Sequence, residues 1–146
     1  MTVAPRVSNL PDAVKTANRL LLEIETQVQR FPKLHKFRTG QRLVDEAFTI
    51  ADLAYEIWFD RDKRGRIEDL DTAIRRFKIT LQLASKLNAF TSIGALENVA
   101  TLARSLGKQC GGWRKKLQGQ GPAASAPAGS ASILSSRPAS LAEAQR

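Results

Sequence analysis

Apolar residues recur every three or four positions through four separate stretches of this chain, and no stretch alternates strictly in twos. At 3.6 residues per turn, that spacing lays an apolar stripe along one face of a helix and leaves a sheet without a core-facing side. The first stretch runs from about Pro11 to Phe31 and carries Ala13, Val14, Ala17, Leu20, Leu21, Ile24, Val28 and Phe31. Asn9 is placed to cap it, Pro11 is tolerated in its first turn, and Pro32 prevents its continuation. The second runs from about Phe37 to Phe59, on Leu43, Val44, Ala47, Ile50, Ala51, Ala54, Ile57 and Trp58. A charged loop, Asp60 to Arg66, leads to the third, from about Ile67 to Leu87. Its stripe is Ile67, Leu70, Ala73, Ile74, Phe77, Leu81, Ala84 and Leu87, and Glu68, Asp69 and Asp71 suit the positive end of the helix dipole. The fourth runs from about Thr91 to Leu117, with Ile93, Leu96, Val99, Ala100, Ala103, Leu106, Cys110, Trp113 and Leu117 inward. Four helices, each roughly 30–40 Å long, joined by short connections, predict an all-α, antiparallel up-down four-helix bundle.

Residues 1–118 hold that bundle, one domain within a chain of 146 residues. From Gly119 to Arg146, Pro, Ala, Ser and Gly dominate, too little apolar surface to offset the entropy of ordering, so a disordered tail is expected. Ile133, Leu134 and Leu141 are the tail's only larger aliphatic residues. No run approaches the roughly 18 apolar residues of a membrane span. The first residues, Met-Thr-Val-Ala-Pro-Arg-Val-Ser, lack the apolar stretch of a secretion signal. A lone cysteine, Cys110, has no internal disulfide partner and fits a reducing cytoplasm. Its helical spacing from Ala103 and Leu106 reads as a small buried hydrophobe.

The composition argues against an enzyme. A di-metal bundle requires Glu-x-x-His pairs facing inward from two helices, and this chain has one histidine, His35, in the first connection. With one His and one Cys far apart, no Cys–His or Ser–His–Asp arrangement is assembled. No phosphate-cradling glycine loop is present either. Asp45, Asp52 and Glu56 share a helical face and read as solvated or paired with Arg42. No metal, cofactor or catalytic residue is expected.

Charge is the second constraint. The 23 Lys and Arg against 14 Asp and Glu give +9, and 21 of the basic and 13 of the acidic residues precede Gly119, a net +8 on the folded part. Such a domain points to nucleic acid or an acidic partner. Three basic stripes stand out. Lys33, Lys36, Arg38 and Arg42 cluster around the first connection, with His35 and Phe37 interleaved. Arg75, Lys78 and Lys86 follow one face of the third helix, with Arg76 one residue round. Arg104, Lys108 and Lys115 align on the fourth, flanked by Arg114 and Lys116. Each alone is a solvated face; three together favour phosphate contacts, which position a polyanion without reading its bases. Exposed aromatics able to stack on unpaired bases are few: Phe37, with Tyr55 or His35.

The fourth helix closes on Leu106-Gly-Lys-Gln-Cys-Gly-Gly-Trp-Arg-Lys-Lys116. Gly111 and Gly112 each cost a helix interior about 0.8–1 kcal/mol against alanine. Close backbone approach by another helix, or room for a large neighbour such as Trp113, would offset that. The other reading is a fraying last turn with a glycine stop. On the first reading Gly111, Gly112, Trp113 and the helix-two Trp58 form packing or assembly positions, within a protomer or between protomers.

Two blocks carry a family resemblance: Phe31-Pro-Lys-Leu-His-Lys-Phe-Arg-Thr-Gly-Gln-Arg42, and Leu106-Gly-Lys-Gln-Cys-Gly-Gly-Trp113. In order, spacing and the Gly-Gly-Trp ending, the chain from roughly Leu20 to Lys116 resembles the Avd (accessory variability determinant) proteins of diversity-generating retroelements. The resemblance implies a four-helix bundle assembling as a basic homopentameric barrel without catalysis of its own, bacterial or phage-encoded. It implies as partners the retroelement's reverse transcriptase and its template RNA, with cDNA or DNA as related polyanions, in support of error-prone cDNA synthesis and mutagenic retrohoming. Lys36, Arg38 and Arg42 match in the first block. Lys78 stands in the third-helix row where such proteins tend to carry arginine, and Gln82, one turn on, is uncharged. Two other readings are kept open. One is a bundle protein of the kind encoded by intervening sequences in bacterial 23S ribosomal RNA genes; the other is a protein–protein scaffold that does not touch nucleic acid.

Overall fold

The apolar stripes become helices. The computed structural model describes residues 10–59 and 64–120. They hold four long helices, α1 (Asp12–Gln29), α2 (Gln41–Phe59), α3 (Arg64–Lys86) and α4 (Ile93–Gln120), and no strand. The fold is all-helical, in keeping with a helical bundle. The chain divides into two units, Met1–Gly112 and Trp113–Arg146. Helix α4 runs through the boundary, so the described part of the second unit is its closing turns, 113–120. Asn9, the Asp60–Lys63 part of the charged loop and residues 121–146 of the expected tail lie outside the described residues.

In the first unit the core is built from the expected faces. Leu20 and Ile24 of α1, Leu43, Ile50 and Ile57 of α2, Leu70, Ile74 and Phe77 of α3, and Val99 and Leu106 of α4 are almost wholly buried. Each such side chain contributes about 1.5–3 kcal/mol relative to exposure. Cys110 is also fully buried, its thiol 3.7 Å from the Ile67 carbonyl oxygen on α3. Thr80 is 1% exposed and donates its hydroxyl to the Arg76 carbonyl at 3.2 Å, whereas the buried Gln27 donates to Glu23 at 2.8 Å and leaves its own Oε1 without a partner among the described residues.

The helix ends depart from the expected ones. Helix α1 stops at Gln29, and the following amides bond back to Gln27 and Val28, yet Phe31 stays buried, edge-on to Phe90 at 4.9 Å. The connection after Pro32 is helical rather than a loop. Lys33–His35 form one turn, with the amides of His35 and Lys36 both bonded to the Pro32 carbonyl at 2.9 Å, and Lys36–Gly40 continue as a π-helical turn into α2. Gly40 is buried there, and a Cβ on it would stand 2.6 Å from Val28 Cγ1 and 3.3 Å from Phe31 Cδ2. The missing side chain is what lets this wide turn seat against the end of α1.

Helix α3 begins at Arg64, three residues early, so Glu68, Asp69 and Asp71 fall beyond its first turn, where a helix dipole acts little. Asp71 pairs instead with Arg75, 3.2 Å away. The far end of α3 closes in a Schellman arrangement. Asn88 adopts φ 57°, its amide bonds to Ser85 and that of Ala89 to Ala84, both at 3.0 Å. Ser92 then caps α4, its hydroxyl accepting from the Ala95 amide at 3.0 Å. Leu87 and Ile93, expected inward, are 45% and 76% exposed; Leu87 follows the last residue of α3 and Ile93 opens α4.

Candidate nucleic-acid interface

Arg38 and Arg42 stand a turn apart, one on the π-helical turn and one on the first turn of α2, and both side chains reach water. With Thr39 they line a groove of about 460 Å³ whose other side comes from Thr80, Leu83 and Lys86 of α3 and from Leu87 just after it. Three cations thus meet around one cleft with no carboxylate in its lining. Arg42 also pairs with Glu46, Nε to Oε2 at 3.2 Å, but the arginine side chain stays 65% exposed, so that exposed pair is worth little and the guanidinium remains open to a second anion. Arg38 and Lys86 have no ion-pair partner among the described residues. Lys86 was read only as part of a stripe; its meeting with Arg38 and Arg42 depends on how α3 packs, which periodicity does not encode.

Lys36, the third base of the first block, is half-buried, with Nζ 5.8 Å from the centroid of the Phe37 ring. Phe37 itself is 67% exposed and Leu34 73% exposed, so the turn presents apolar as well as basic surface.

The other third-helix bases go elsewhere. Arg76 lines a second groove, about 730 Å³, with Arg42 at its border and Glu46, Asp52, Glu56 and Asp69 among its walls. Glu56 accepts from Arg66 Nη1 at 2.6 Å, tying the end of α2 to the start of α3. Arg76 thus stands among carboxylates, apart from the groove that holds Arg38 and Lys86. Lys78 is directed toward α4, its ammonium 3.4 Å from where a Cβ on Gly107 would sit, and Arg75 pairs with Asp71 at 3.2 Å while its side chain stays 66% exposed. The single third-helix stripe of the sequence is therefore split among different neighbours.

On α4, Arg104 is exposed and bonds to Thr101 Oγ1 at 3.1 Å; Lys108 is exposed. Arg114, Lys115 and Lys116 fall on the closing turns, in the second unit, with Trp113. A Cβ added to Gly111 or Gly112 meets nothing within 4 Å, so no helix of the described chain makes use of their missing side chains. Trp58 is half-buried in an aromatic cluster at the end of α2, 4.8 Å from Phe59 and 6.4 Å from Tyr55.

Among the described residues no cluster of His, Cys, Asp and Glu is placed to hold a metal, and no helix is long and apolar enough to cross a membrane. No family model, curated protein or solved structure matches the chain.

Proposed function

We propose that this chain is a non-catalytic accessory protein of a diversity-generating retroelement, holding template RNA against the reverse transcriptase during mutagenic cDNA synthesis. The observation that carries the reading is the carboxylate-free groove that gathers Arg38, Arg42 and Lys86. Two of these come from the block that resembles the Avd proteins, and the third closes on them from α3. The two grooves divide the labour. The basic one suits a phosphate chain; the other, with both guanidinium and carboxylate groups, suits the mixed side chains of a protein such as the transcriptase.

The bundle takes an antiparallel up-down order on this reading, supported by the pairings of Asn18 with Tyr55 and of Val28 with Gly40 along α1 and α2. Self-association through Gly111 and Gly112 is supported by the open space over them; a pentamer, with Trp113 and Trp58 also at contacts between protomers, is what the resemblance implies. A ring would also repeat the net +8 around one axis and strengthen its pull on RNA.

Co-expression with the nearest encoded reverse transcriptase, followed by tagged pull-down at moderate and high salt, tests this. Recovery of a stoichiometric complex, weakened by Arg38→Glu and Arg42→Glu together, is expected. A soluble, pure protein that captures no transcriptase would return the choice to the ribosomal-RNA-associated or scaffold readings.

A further inference from the structure

The floor of the basic groove is apolar. Leu83 and Leu87 are 50% and 45% exposed, and Thr80, beside them, spends its hydroxyl on the Arg76 carbonyl. Phosphates alone would leave this surface in water. We infer that the groove between Arg38, Arg42 and Lys86 takes unpaired nucleic acid, its phosphates on the three cations and one base laid against Leu83 and Leu87. The inference rests on the nucleic-acid reading above and narrows it to a substrate class.

Charge complementarity selects a polyanion, since three cations and no acid line the cleft. The apolar floor then selects among polyanions. In a duplex the base faces are stacked inside, and only sugar, phosphate and base edges reach a protein surface. A single strand can turn a base face outward onto an apolar or aromatic side chain. The groove, about 460 Å³, has room for one nucleotide unit. A site that used charge alone would favour the duplex, which carries more charge per unit length. Preference for the single strand is therefore a signature of the floor.

The test is fluorescence anisotropy with the full chain, using a labelled unstructured oligoribonucleotide and the same strand annealed to its complement, over a series of salt concentrations. The single strand should bind about tenfold tighter, the gain expected when a base covers roughly 50–60 Å² of apolar surface on Leu83 and Leu87. Leu83→Asn with Leu87→Asn should lower single-strand affinity about tenfold more than duplex affinity. Lys86→Gln should weaken both and reduce the single-strand salt slope by about 0.7. The comparison on the unaltered chain needs no variant to fold. Equal or tighter binding of the duplex overturns the inference while leaving the nucleic-acid reading intact; binding of neither RNA overturns both.

Discussion

Gly40 and Asn88 are the two residues whose backbone positions admit little else. A Cβ on Gly40 would stand 2.6 Å from Val28 Cγ1, and a β-branched side chain gives way poorly. Gly40→Ala should cost about 1–3 kcal/mol in urea denaturation, the usual penalty of overpacking; unchanged stability would contradict the close approach. Asn88 holds φ 57° at the end of α3, a conformation that disfavours branched residues by about 1–2 kcal/mol. Asn88→Val should lower stability by that amount, and Asn88→Gly should leave it unchanged or raise it slightly. Neither role was legible in the sequence. Gly40 lies in a block that draws the eye for its bases, and a close approach to Val28 depends on how α1 and the π-helical turn meet. Arg38 and Arg42 were legible as candidates because charge clusters show in one dimension. Lys86 was not singled out with them, because 44 residues of chain separate it from Arg42 and only helix packing joins them.

The helices themselves were largely written in the apolar spacing. For α1 the expected stripe is buried apart from the half-exposed Leu21, and for α2 it is buried up to the half-exposed Trp58. Within the helices Leu21, Leu96 and Ala100 are only partly covered. The larger errors fall at ends: Leu87 lies just past α3 and Ile93 opens α4, and the early start of α3 was hidden because Arg64, Gly65 and Arg66 carry no apolar signal to count. The π-helical turn at Lys36–Gly40 was invisible for a different reason: five residues are too few to distinguish one helical period from another. In α4, Gly111 and Gly112 burden the helix with no compensating contact in the described chain. The double variant Gly111→Ala, Gly112→Ala should therefore raise unfolding stability by about 1.6–2 kcal/mol under conditions where the protein is monomeric. If the glycines admit a second protomer, the same variant should dissociate the assembly in sedimentation velocity. An assembly unaffected by the two methyl groups would remove Gly111 and Gly112 from the proposed contact.

For the molecule as a whole, the excess of basic residues becomes useful only where the helices bring it together. Arg38, Arg42 and Lys86 share a groove, whereas Arg76 is diverted among carboxylates and Lys78 toward α4. Three phosphate contacts on a single strand predict a log–log salt slope near −2 for each groove, steepening if the remaining α4 bases join. A titration indifferent to salt would mean that charge does not hold the RNA. What the sequence left undivided was which basic stripe meets which partner, and the separation into a basic and a mixed groove supplies a physical basis for assigning RNA to one and protein to the other. The most direct measurement is template-dependent cDNA synthesis by the neighbouring reverse transcriptase, with and without this protein. The account predicts that cDNA rises when the unaltered chain is added and that Arg38→Glu with Arg42→Glu, folded by circular dichroism, loses the stimulation. The same yield of cDNA in the presence and absence of the protein would contradict it.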